Sequence, residues 1–504
     1  MTDHPTTGGA EQPETAVAPD MLPPIVERAP IRRNVMQMFT AQVITWLIAT
    51  VLAVVIPRAL GPEVLGELSL ATSLWLIAAI VIGLGTSMYL QLEIAQSPNT
   101  GLAMVGPVIV LRTAAWLLAA LVLGTYTLLA GSSTMFALLM ALVGFNVLIN
   151  VWSDVLTTSF LGMERMSIPS FLSIASKATN LVLVLAMLAL QFGVYGVVIA
   201  GIIAGAWPFL FLLRRFTGLG HITLKGANRH VSHILRSSWP FMMAGLAVVV
   251  YQQIDVIAIS WMIGPRDVGW YSTADSLVTS LGAPATVVFA AIFPALGRLH
   301  RHDPEGLVRL VQRAFSLLTL AAVPIGLGTM VIAPSFAPML YGDEFRETGD
   351  VLVAFGPVII LSFCTLLFGG VALATERSNL WVAVVLGAAA LTIPLDAVLV
   401  PWTSDRFGNG AIGGAIAFII TETFQFAIGL WRVAPHLVNR ATAWRIGRIL
   451  IAGGAMMACT WPLREQFILL PIGVGAITYG VAVVALRVVG ADERALIVDA
   501  LRRG

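Results

Sequence analysis

Charge is what this chain has least of. Only 11% of its 504 residues are Asp, Glu, Lys or Arg, against roughly 25% in soluble domains. With 58% hydrophobic residues and a mean hydropathy of +0.89, a soluble globular domain is excluded and a polytopic membrane protein is expected. Lysine is nearly missing, represented by Lys177 and Lys225 alone. The formal charge is +2 and no basic run interleaves with aromatics, which argues against a nucleic-acid partner. Two cysteines, Cys364 and Cys459, sit in apolar segments without metal-ligand spacing, so neither a zinc site nor a disulfide framework is expected, and both are expected in the core. No GxxxxGK[ST] motif occurs, leaving no sequence basis for intrinsic ATP hydrolysis, and nothing calls for a cofactor. Residues 1–30 are rich in Pro, Thr, Gly and acid and lack the apolar core of a cleaved signal. They read as a disordered cytoplasmic tail, with the first membrane span acting as insertion signal.

Long apolar runs fill the remainder. A span needs about 20 apolar residues to cross roughly 30 Å of hydrocarbon, and fourteen runs qualify between residues 35 and 487, the second at 68–93, the seventh at 237–262 and the eighth at 270–297. With the N-terminus inside, only Arg58, Arg266, Arg346, Arg406 and Arg464 fall on outer segments, and Arg112 lies within a span. Most of the 29 Lys and Arg fall on the other side, so the positive-inside rule places both termini in the cytoplasm. The connecting loops are short, which leaves no room for a soluble catalytic domain.

The chain also repeats itself. In "LGPEVLGELSLATSL" (60–74) and "IGPRDVGWYSTADSL" (263–277), Gly61, Pro62, Gly66, Ser69, Ala71, Ser73 and Leu74 recur as Gly264, Pro265, Gly269, Ser272, Ala274, Ser276 and Leu277. "FLGMERMS" (160–167) is echoed by "ALATERSN" (372–379), and "GVYGVVIAG" (193–201) by "GNGAIGGAIAF" (408–418). Such echoes imply a duplicated six-span unit: an N-lobe at 31–217, a linker at 218–235, a C-lobe at 236–433 and two extra spans with a cytoplasmic end in 434–504. Even-numbered lobes share one orientation and would enclose a central cavity, with transport by rocking one lobe against the other.

Four stretches, "QQIDVIAISWMIGPRDVGWYSTADSL", "FAAIFPALGRLHRHDPEGL", "VPIGLGTMVIAPSFAPMLYGDEF" and "LVPWTSDRFGNGAIGGAIAFIITE", run in order through the C-lobe. In that order they resemble the Wzx-like polysaccharide repeat-unit flippases of the multidrug/oligosaccharidyl-lipid/polysaccharide exporter superfamily. The resemblance implies an all-α fold and no enzymatic activity. It further implies flipping of an undecaprenyl-pyrophosphate-linked oligosaccharide across the bacterial inner membrane, with a polymerase and glycosyltransferases as neighbours. A multidrug or cation antiporter of the same superfamily, a lipid II flippase, and a membrane polysaccharide polymerase or ligase are the alternatives. The last would need outer catalytic residues, and the most polar outer stretch, "YGDEFRETGD" (341–350), reads as a solvated turn.

Ionisable residues inside spans are costly and call for a partner or a role. Asp255 in the seventh span has Gln252 and Tyr251 at helical spacing on the same face, and Gln252 is a candidate for binding the pyrophosphate or sugar. Asp255 is either a cavity site for a proton, sodium ion or sugar hydroxyl, or an interhelical anchor. Asp275 is placed in the first turns of the eighth span, where it is either an anion favoured by the helix dipole or, with Asp255 and Glu422, an ion-coupling or cavity acid. Glu422 lies mid-span and is either a coupling acid, protonated and released as water access alternates, or a buried structural acid. Arg112 and Lys177 are candidates for the pyrophosphate, or else pair with Asp154 or Glu93 or snorkel. Arg298, at an inner helix end, suits an interface charge or capture of an anionic headgroup. An interior-negative potential, worth about 2.3 kcal/mol per charge per 100 mV, would drive a pyrophosphate outward.

Overall fold

The computed structural model describes residues 31–218 and 227–488. The proposed tail at 1–30 and much of the 218–235 linker lie outside the described residues. Residues 1–45 and 46–504 separate into two compact units. The described part of the first is a single helical stretch beginning at residue 31, and the second contains all the remaining helices.

The described backbone is helical throughout. In chain order the elements are α1 (Ile31–Leu60), α2 (Pro62–Gly83), α3 (Thr86–Gln96), α4 (Pro98–Ala103), α5 (Val105–Leu129), α6 (Thr134–Gly162), α7 (Ser167–Ala189) and α8 (Gly193–Thr217). They continue as α9 (Ala227–Met262), α10 (Pro265–Leu281), α11 (Ala283–His302), α12 (Pro304–Tyr341), α13 (Arg346–Ala374), α14 (Ser378–Phe407), α15 (Ala411–Ile428), α16 (Arg440–Thr460) and α17 (Leu469–Ala485). Among the described residues, 12 helical segments are long and apolar enough to cross a membrane, and two shorter apolar helices, Ile44–Leu60 and Leu469–Ala485, accompany them. Leu117, Leu118 and Leu121 on α5 are each about three-fifths exposed, as suits a face solvated by hydrocarbon. Arg266, Arg432, Arg448 and Arg464 each lie over a neighbouring tryptophan ring, an amphipathic pairing suited to the membrane interface.

Two expected spans are interrupted. The second splits at Leu84 and Gly85, both left-handed, into α2 and α3. The eighth splits at Gly282 into α10 and α11 and starts earlier than expected, at Pro265. Broken helices survive at membrane depth where protein or a water-filled cavity satisfies the freed backbone.

The sequence echoes have structural counterparts. Pro62 and Pro265 open α2 and α10 in the first turn, after Gly61 (φ 76°) and Gly264 (φ 147°), which hold a region that favours glycine. Glu164 and Glu376 both adopt φ 60°. Arg165 N–H then bonds Phe160 O at 2.9 Å and Arg377 N–H bonds Ala372 O at 2.7 Å, the same helix-ending pattern twice.

The largest core joins α10, α12, α13 and α15, with Phe315, Phe355, Phe363 and Phe368 at its centre. A smaller one joins α3, α5 and α6 through Leu90, Val105, Leu156 and Phe160. Cys364 is buried in the larger core, whereas Cys459 is exposed on α16, contrary to expectation. Its apolar flanks mark a helix that crosses the membrane at the edge of the bundle, not one inside it.

Candidate functional site

The duplicated motif meets itself. A Cβ on Gly66 would strike the Pro265 carbonyl, and one on Gly269 would strike the Pro62 carbonyl, so α2 and α10 cross with backbone against backbone at the Gly-Pro end. Further bonds brace that end. Trp270 Nε1 donates to Glu344 O (2.9 Å), Asn409 Nδ2 to Glu347 O (3.1 Å), and Gly410 N–H to Asp267 Oδ1 (2.7 Å). The "YGDEFRETGD" stretch is therefore partly a packed brace, with Phe345 buried, and its Asp343–Arg346 pair remains exposed.

Beside this crossing α1, α2, α9 and α10 enclose a cavity of about 470 Å³. Ser69, Thr72 and Ser73 line it from α2, and Ser272, Thr273, Asp275 and Ser276 from α10. Gln253 of α9 closes the ring, accepting a 2.7 Å bond from Ser73 Oγ. Asp275 thus faces the cavity. The helix-dipole expectation for it fails, because α10 begins at Pro265 and puts Asp275 three turns in; the first-turn acid is Asp267.

Behind the cavity, α9 carries Asp255, which is buried and accepts a 2.9 Å bond from the Tyr271 hydroxyl. The buried Asp396 carboxyl of α14 lies beside it, within reach of a carboxyl–carboxyl hydrogen bond, and neither Asp396 oxygen has any other donor among the described residues. Two carboxyls this close require a shared proton or a cation, since like charges in a desolvated site repel. Sequence reasoning missed Asp396, although an acid in the middle of "LTIPLDAVLV" carries the same signal as Asp255. Gln252 does not share the buried face expected of it: Tyr251, Asp255 and Ile259, four residues apart, are buried, while Gln252 is exposed. The amide that reaches another helix is its neighbour Gln253.

Glu422 is enclosed differently. Its carboxylate accepts bonds from Thr365 Oγ1 (2.8 Å), Tyr251 Oη (3.0 Å) and Gln425 Nε2 (3.2 Å), tying α15 to α13 and α9.

Arg112 is the largest of the fully buried side chains among the described residues. Its guanidinium donates to Thr86 Oγ1 (2.9 Å), Val151 O (3.1 Å), Asp154 Oδ2 (2.8 Å) and Ser87 Oγ (2.7 Å). It therefore pins the first turn of α3, immediately after the break in the second span, to α5 and α6. Of the alternatives open for Arg112, pairing with Asp154 is the one observed. Lys177 on α7 and Arg298 on α11 are exposed, and neither has an ion-pair partner among the described residues. The described residues contain no group of three or more His, Cys, Asp or Glu able to hold a metal.

Fold and site together define an all-α polytopic membrane protein with a cavity between α1, α2, α9 and α10 that sets hydroxyls and one carboxyl among apolar side chains. Residues 31–300 match the family described as "Polysaccharide biosynthesis protein". That is more than half of the chain, and the chain belongs to this family. It is 23% identical over 339 residues to the succinoglycan biosynthesis transport protein ExoT of Rhizobium meliloti (strain 1021), a match covering 65% of this chain and 66% of that protein, just under two thirds of its length. In three dimensions it is similar to the lipid II flippase MurJ in an inward closed conformation. The TM-score is 0.73 at 14% identity, over 90% of this chain and 98% of that one. An inward-facing MATE family transporter of the MOP superfamily superposes with TM-score 0.57 at 15% identity, over 79% and 94% of the two chains. At these identities the structural likenesses establish the fold alone.

Proposed function

We propose that the protein is a flippase, not an enzyme. It carries an undecaprenyl-pyrophosphate-linked oligosaccharide from the inner to the outer leaflet of the bacterial cytoplasmic membrane, with both termini inside. The observation that carries this reading is the backbone-tight crossing of α2 and α10 at one end of this cavity. A barrier formed by two small-residue helices from different halves can part without unfolding either half. The family, the relative named as a succinoglycan biosynthesis transport protein and the flippase-like fold support it.

In this reading the lobes 31–217 and 236–433 rock about the cavity. The breaks at 84–85 and 282 let α2 and α10 move separately from α3 and α11. Asp255 and Asp396 exchange a proton or sodium ion during the cycle, and the membrane potential draws the pyrophosphate outward. Exposed Lys177 and Arg298 are the proposed contacts for the anionic headgroup. Arg112 positions α3 in the conformation seen here, and rearrangement of its bonds during rocking would free it for the pyrophosphate. Polymerase and glycosyltransferases would act on either side of this step.

Proteoliposomes holding a lipid-linked oligosaccharide test the proposal. The wild-type chain should move it between leaflets faster under an imposed potential, and Gly66→Leu with Gly269→Leu, which props the crossing apart, should abolish movement. Transport indifferent to potential and ion gradients would rule out this energy source. Deletion that leaves surface polysaccharide intact but raises drug sensitivity would favour a cation antiporter, which the acid pair would also suit.

A further inference from the structure

The polar lining of the cavity is one motif written twice. At the constant offset of the repeat, Ser69 corresponds to Ser272 and Ser73 to Ser276, and all four line the cavity. Two polar positions depart from this symmetry: Thr72 corresponds to Asp275, and Thr273 corresponds to the apolar Leu70. The hydroxyls of α2 and α10 are thus made unequal, α10 adding Thr273 and the only carboxyl of the lining, while Ala49, Leu52, Ala53 and Ile56 of α1 supply an apolar side.

The lining contains no lysine or arginine. Arg112, the buried cation of the first half, makes its bonds to Thr86, Ser87, Val151 and Asp154 instead. A pyrophosphate in the cavity would meet Asp275 and no compensating cation, whereas anion sites are built from guanidinium, ammonium or helix N-termini. Hydroxyls suit it better. A carboxylate offers about four lone-pair positions and can accept from two neighbouring hydroxyls at once, and serines both donate and accept. The Ser272 hydroxyl is buried without a hydrogen-bond partner, and Asp275 has none among the described residues. A cavity of about 470 Å³ also falls within the roughly 300–1,000 Å³ usual for small-ligand sites.

We infer that this cavity is a subsite for the uncharged hydroxyls of a sugar, that it excludes the pyrophosphate, and that Asp275 is the residue that discriminates among sugars. This rests on the flippase reading and narrows it: the glycan is held between α2 and α10 while the anionic group stays outside this lining.

The test uses the purified full chain in detergent and follows its thermal midpoint, which rises when a ligand binds the folded state. The probes are oligosaccharides released by mild acid from the producing cell's lipid-linked intermediates and, separately, inorganic pyrophosphate. The oligosaccharides should raise the midpoint. Asp275→Asn should require at least tenfold more oligosaccharide for the same rise, and Ser272→Ala about threefold more. Asp275→Glu should recover part of the loss, which separates sugar contact from simple misfolding. No rise with oligosaccharide, a rise unchanged in both Asp275→Asn and Ser272→Ala, or a pyrophosphate-induced rise that Asp275→Asn strengthens would each overturn the inference. Wild-type proteoliposomes report separately on the parent reading. If they translocate the lipid-linked oligosaccharide while the binding test fails, the subsite is wrong and the flippase stands; if they do not translocate it, the flippase reading itself fails.

Discussion

The buried cation of the first half and the buried acids of the second are solved in opposite ways. Arg112 is surrounded by acceptors, four of them within 3.1 Å. Outside the pair itself, Asp255 has one donor, Tyr271, and its neighbour Asp396 has none among the described residues. Buried polar groups are ordinarily satisfied, and those that are not mark strain, function or an unseen ion. Arg112 therefore behaves as architecture in this conformation, fixing a broken helix. The acid pair has only Tyr271 and its own shared hydrogen bond to offset two carboxyls. Glu422, with three donors, resembles Arg112 in being complete, although it sits among the acids.

The largest expected effect comes from emptying the complete sites. Arg112→Ala removes four hydrogen bonds from a buried side chain, whereas its partner Asp154 is already half-exposed and keeps its hydration. Losing charged hydrogen bonds of a buried guanidinium costs about 1.5–3 kcal/mol, and the space it leaves adds to that, so a marked fall in apparent melting temperature in detergent is expected. Glu422→Leu takes the shared acceptor from three donors, of which Tyr251 and Thr365 keep a second partner in Thr421 Oγ1 and Ser362 O, and should cost about 1–3 kcal/mol, whereas Glu422→Gln, which keeps an acceptor, should lose much less; equal losses would mean that the donor cage is not what matters. The incomplete site should respond the other way. Asp255→Asn or Asp396→Asn should change stability by less than about 1 kcal/mol, because each relieves like-charge repulsion, yet remove the cation or pH dependence of transport in proteoliposomes. If these variants destabilise as strongly as Arg112→Ala and leave ion dependence intact, the contrast collapses. At the small end, Gln252→Ala and Lys177→Ala should leave the melting temperature unchanged, since both side chains are exposed. A transport defect in Lys177→Ala alone would then identify it as a headgroup contact.

Much of this was legible one residue at a time. Gly61, Pro62, Gly264 and Pro265 announced two matching helix starts, and Glu164-Arg165 and Glu376-Arg377 announced two matching helix ends. Intramembrane Arg112, Asp255 and Glu422 stood out because an apolar run makes any charge conspicuous. Gln252 misled because a spacing of three or four residues fixes a shared side of a helix but not where the edge of the buried arc falls; that edge is set by α10, α14 and α15. The helix-dipole reading of Asp275 misled because the helix began a turn and a half earlier than hydropathy suggested, with the polar "PRDVGW" already helical.

By itself the sequence determined that the chain spans a membrane many times, as helices, and that a Gly-Pro motif is written twice, because hydropathy and local backbone preferences act over a few residues. Only the tertiary structure decided that the two copies of the motif cross at their glycines, that Asp396 stands beside Asp255, and that Arg112 is consumed by its neighbours while Asp275 faces an uncharged wall. Those facts depend on which helices pack together. Two residues 141 positions apart, as Asp255 and Asp396 are, share a desolvated site only once the helices between them have been placed.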